Sequence, residues 1–75
     1  MTTGQRIAAA RKAAGYRTVY SFCMSRKHVR HWATKQGHLS QIERGLIAKP
    51  QQATLVALAK AFGVKVENLT GDGDV

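Results

Sequence analysis

The chain predicts an all-α fold, and three observations carry that expectation. Apolar residues recur at helical spacing: Leu39 and Ile42 stand three apart, and Leu55, Leu58, Ala59 and Phe62 follow the i, i+3, i+4, i+7 stripe. Glycines stand where these patterns stop, at Gly15, Gly45 and Gly63. The sole proline, Pro50, sits five residues after Gly45, where a loop or the first turn of a new helix accepts it.

At 75 residues the chain holds one domain, and folding at this size buries only roughly 60% of the surface. The core must be small, and a deep catalytic pocket is not expected. The charge is strongly one-sided. Twelve Lys and Arg oppose four acids, for a net charge of +8. Residues 1–42 hold eight basic side chains (Arg6, Arg11, Lys12, Arg17, Arg26, Lys27, Arg30, Lys35) and no acid. From Pro50 on the balance is slightly acidic, Lys60 and Lys65 against Glu67, Asp72 and Asp74. Such a field favours a polyanionic partner through counterion release, although a solvated, solubilising face has the same composition. One cysteine excludes an internal disulfide and fits a reducing cytoplasm. The N-terminus lacks the apolar centre of a signal peptide, and no apolar run approaches the ~20 residues of a membrane span.

Helix 1 begins at Thr2 or Thr3. Gln5 stands three after Thr2, the spacing of a capping box. Ile7, Ala10, Arg11 and Ala14 then share a face, so Arg11 either finds a partner or snorkels from the rim into water. In the middle of the chain Val19, Phe22, Cys23, Val29, Trp32 and Ala33 fall near one helical stripe, which admits a single long helix. In LSQIERG, residues 39–45, Leu39 and Ile42 turn inward while Ser40, Gln41 and Arg44 face out, and Gly45 is the stop. The stripe from Leu55 to Phe62 is the next helix, ended by Gly63. Val64, Val66 and Leu69 belong to a short last helix around Val66–Thr70, and residues 71–75 read as a frayed tail of the same single domain.

The run LSQIERG, a short loop, Pro50 and then TLVALAKAFGV resembles the C-terminal half of a Cro/C1-type (XRE) helix-turn-helix domain. TGQRIAAARKAAG, residues 3–15, is similar to the family's first helix. The resemblance implies a five-helix, lambda-repressor-like domain whose third helix reads duplex DNA. It also implies that Arg11 pairs with the acid of IERG, Glu43, which is the only acid in the first 66 residues.

Between Gly15 and Ser40 this chain has 24 residues, several more than the family's usual spacing. Counting back from SQIERG, helix 2 covers 25–32, with Ser25 as cap and Val29 and Trp32 inward, and 16–22 is an inserted turn or short helix. Counting forward from Gly15, helix 2 begins near Thr18, with Phe22 and Cys23 inward. One long helix is the third reading. The first is preferred because it keeps the tight spacing of a helix-turn-helix. The turn itself is unusual, since Ala33 falls where relatives carry glycine and Lys35 replaces the Ser or Thr cap. Gly37 either lies inside the reading helix's first turn or ends helix 2, leaving 38–44 as a very short reading helix.

Major-groove reading needs side chains on one helix edge, and Gln suits adenine because its amide can both give and accept a hydrogen bond at N6 and N7. On the family register the groove-facing set is Gln36, Gly37, His38 and Gln41. Gly37 reads no base but allows close backbone approach. Arg44 and Lys49 match the family's phosphate-binding positions, with Lys35, Arg26, Lys27 and Arg30 as additions. For each, the plain alternative is a solvated polar residue. Relatives of this length include phage repressors, restriction–modification controllers and antitoxin-like regulators, which usually dimerise on a palindrome. The resemblance therefore implies a homodimer on duplex DNA in the cytoplasm, associated with the nucleoid. Val64, Val66 and Leu69, or the inserted 16–22, would form the dimer surface, unless the first three only close the core.

Two rivals share the fold. One is an antitoxin-like or bridging module whose main partner is protein. The other is a metal- or redox-responsive regulator using Cys23, His28, His31 and His38, of which His28 and His31 share a helix face. That spacing matches no common zinc signature, so no metal or other cofactor is expected. Cys23 and Trp32 read more simply as core residues. Without a Gly-rich phosphate loop or paired carboxylates, an enzyme is not expected.

Overall fold

The computed structural model describes residues 2–25, 35–47 and 49–70. They form five helices: α1 (Thr3–Ala13), α2 (Val19–Cys23), α3 (Gln36–Glu43), α4 (Gln52–Phe62) and α5 (Val66–Thr70). Helix α1 packs against α3, α4 and α5, while α2 packs against α3 and α5 against α4. The expected all-α architecture is the one found.

The helix ends follow from local chemistry. Thr2 caps α1: the Gln5 N–H donates to Thr2 Oγ1 at 3.1 Å, and the Thr2 N–H donates to Gln5 Oε1 at 2.9 Å. Thr18 caps α2, its Oγ1 accepting the Ser21 N–H at 2.9 Å. Gly15, Gly45 and Gly63 adopt φ of 100°, 84° and 71°, the left-handed region that glycine enters without a Cβ penalty. After each, two N–H groups turn back onto the helix's last carbonyls. The pairs are Tyr16 to Arg11 with Gly15 to Lys12, Leu46 to Gln41 with Gly45 to Ile42, and Val64 to Ala59 with Gly63 to Lys60. One Schellman motif thus ends three helices.

The core joins Ile7 of α1, Phe22 and Cys23 of α2, Leu39 and Ile42 of α3, Leu55, Leu58, Ala59 and Phe62 of α4, and Leu69 of α5. Each fully buried large side chain contributes about 1.5–3 kcal/mol relative to exposure. Phe22 lies at the centre, meeting the Tyr16 ring edge-on at 5.1 Å and the Phe62 ring at 5.0 Å.

This placement decides part of the middle segment. A short helix begins after Thr18 with Phe22 and Cys23 inward, which fits both the forward count and the inserted short helix of the backward count. The single long helix does not occur: α2 ends at Cys23, and Met24 and Ser25 return their N–H groups to Tyr20 and Phe22. The helix expected over 25–32 lies outside the described residues beyond Ser25. The dimer-surface expectation needs a correction at Leu69, which is fully buried within one chain, while Val64 and Val66 are half-buried against the same core. No helix among the described residues is long and apolar enough to cross a membrane.

Candidate nucleic-acid interface

Helix α3 is seated by Leu39 and Ile42, both fully buried. With the anchors three apart, the remaining positions are forced outward. Gly37, His38, Gln41 and Arg44 are exposed, and Gln36 and Ser40 are half-buried. The helix begins at Gln36, so Gly37 lies in its first turn rather than ending an earlier helix. Lys35 stands at the N-cap, where its side chain makes no cap hydrogen bond. A glycine inside a helix weakens it by about 1 kcal/mol relative to alanine.

The far end of α3 is clamped by α1. Arg11 is buried, and its Nε and Nη2 donate to Glu43 Oε2 and Oε1, each at 3.0 Å. Its Nη1 donates to the Tyr16 carbonyl at 2.7 Å. One guanidinium therefore links α1, the last residue of α3 and the loop into α2, in the two-point geometry that suits arginine and a carboxylate. Glu43 is the only acid before Glu67, so this pairing takes the one acid of residues 1–66 into a buried ion pair.

Sequence reasoning missed a second clamp. Gly4 is buried in the first turn of α1, and a Cβ built there would collide with the Ile42 carbonyl oxygen and lie 2.9 Å from that of Glu43. The end of α3 can sit this close only because position 4 has no side chain. The available signal was a glycine inside a helix already capped by Thr2.

The expected site residues gather as follows. Gln36, Gly37, His38 and Gln41 lie on α3, with exposed Lys35 and Arg44 at its two ends and exposed Lys49 in the loop that follows. Arg26, Lys27 and Arg30 lie outside the described residues, as do His28 and His31 of the metal reading. Cys23 is fully buried in the core. Burial, and then the nearby Glu43 carboxylate, push its thiol above the ordinary value of 9.0. No group of three or more His, Cys, Asp or Glu that could hold a metal ion occurs among the described residues.

A family model described as Helix-turn-helix matches residues 34–69, which span α3, α4 and all but the last residue of α5. A search of curated proteins and a search of solved structures returned no match. Over residues 34–69 the chain is thus similar to the helix-turn-helix family, in the part where its sequence resembles the Cro/C1 (XRE) type, a family of DNA-binding regulators.

Proposed function

We propose that the protein is a sequence-specific duplex DNA-binding regulator that acts as a repressor. In this reading α3 lies in the major groove, with Gln36, His38 and Gln41 as base-reading donors and acceptors and Gly37 at the point of close approach. Arg44, Lys49 and Lys35 hold phosphates on either side, joined by Arg26, Lys27 and Arg30. The observation that carries the reading is the seating of α3. Two buried anchors and two clamps fix a helix whose free edge is polar and whose flanks are basic. A rigid edge matters because base readout depends on hydrogen bonds that tolerate only a few tenths of an ångström. The protein acts as a homodimer, so that two such edges meet a palindrome about one helical turn apart. Bound there, the domain blocks other proteins from the same duplex, which is how a repressor without catalytic machinery works.

Selection from a random duplex pool tests this directly. The expected outcome is an enriched palindrome with half-sites about 10 base pairs apart, bound with a log–log salt slope of about −5 to −7. Equal affinity for all duplexes would sink the reading. The second reading, an antitoxin-like or bridging module, draws support from Tyr20 and Leu46, which are 60% and 70% exposed. Each is an apolar side chain of the kind that a protein partner would cover. Absence of duplex preference, together with an unchanged fold, would favour it.

A further inference from the structure

Within the outward edge of α3, Gly37 is the residue whose identity the fold does not explain. It is exposed, it lacks a positive φ, and among the described residues a Cβ built on it meets no atom within 4 Å. Gly4, also helical, is the instructive contrast, because there a Cβ would strike the backbone of α3. Gly15, Gly45 and Gly63 have turns to make. Gly37 weakens the start of α3 with no turn, strain or packing among the described residues that calls for it.

Its neighbours suggest what does. Gln41 stands at i+4 and is exposed, so it shares a face with position 37. Helical side chains lean toward the N-terminus, which brings the Gln41 amide over the turn that contains Gly37. The result is a strip of bare backbone bordered by Gln36, His38 and Gln41. We infer that Gly37 is a specificity-determining position. With no side chain there, α3 can sit low against the base edges, within reach of a two-point Gln41–adenine contact. The inference rests on the proposed DNA reading of α3 and adds a role for a residue that has no functional group. A methyl at position 37 would lift the helix and stretch the base contacts past hydrogen-bond length. The long Lys and Arg side chains can follow such a shift and keep their phosphates.

The test uses the full chain with the duplex selected above and a scrambled duplex at one salt concentration, beside thermal melting. Gly37→Ala should raise Tm by roughly 3–6 °C, since it removes a helical glycine. Its affinity for the selected duplex should fall by about tenfold or more, with the scrambled duplex bound within about twofold of wild type. Gly37→Leu should weaken specific binding further. An alanine variant that binds the selected duplex as tightly as wild type overturns this inference and leaves the DNA reading intact. So does an equal loss on both duplexes, or a fall in Tm, which would reveal a reason for glycine inside the fold. A wild-type chain without duplex preference overturns both.

Discussion

The guanidinium of Arg11 and the carboxylate of Glu43 meet side-on, Nε to Oε2 and Nη2 to Oε1, both at 3.0 Å, with side chains only 6% and 9% exposed. Since Arg11 also holds the Tyr16 carbonyl, removing either partner strands a buried polar group on the other. Arg11→Ala or Glu43→Gln should therefore lower stability by about 3–5 kcal/mol. An apolar pair, Arg11→Met with Glu43→Leu, should recover much of the loss because no buried charge is left unpaired. Urea midpoints for the three variants check this. A loss under about 1 kcal/mol in both single variants would mean that the pair behaves as an exposed one.

Gly4 lets α1 and α3 meet without a side chain between them. Gly4→Ala gains helix propensity of about 1 kcal/mol but forces a methyl against the α3 carbonyls, and overpacking of that kind typically costs about 1–3 kcal/mol. A net loss of stability is expected in thermal melting, opposite in sign to the result for Gly37→Ala. A Tm at or above wild type would show that the two helices can shift apart at no cost.

Cys23 links stability to alkaline pH. Burial raises its thiol above 9.0, so the folded state holds the proton more tightly than the unfolded chain. The resulting stabilisation is complete below pH 9.0 and is lost as pH rises through the folded value. Wild type should therefore lose stability faster than Cys23→Ala above that pH. Denaturant midpoints taken in steps upward from neutral pH compare the two; parallel curves would remove the linkage.

How far the sequence reaches depends on the distance over which each signal acts. Thr2 with Gln5, and the stops at Gly15, Gly45 and Gly63, were legible because caps and Schellman turns involve residues within one turn of each other. The outward edge of α3 was legible once Leu39 and Ile42 fixed its inward face. Phe22 and Cys23 left three readings open, because the stripe through Val19, Val29 and Trp32 fits them into a longer helix equally well. Only their packing against Phe62 and α3 distinguishes a helix that ends at Cys23. The start of α3 was unreadable because Lys35 makes no cap bond. Gly4 gave only the signal of a glycine inside a capped helix, since its constraint comes from carbonyls on another helix.

Base reading and phosphate holding separate by salt and by sequence. Arg44 and Lys49 are exposed at the end of α3 and in the loop beyond it, suited to phosphates rather than bases. Neutralising either one, Arg44→Gln or Lys49→Gln, should weaken every duplex alike and reduce the salt slope by about 0.9 for each phosphate no longer neutralised. Gln41→Ala should leave that slope unchanged and reduce discrimination at one base position by about 1–3 kcal/mol. Titrations of the selected duplex and single-base variants at several salt concentrations measure both quantities together. If Gln41→Ala flattened the salt slope while Arg44→Gln altered base preference, the assignment of edge and flank on α3 would have to be exchanged.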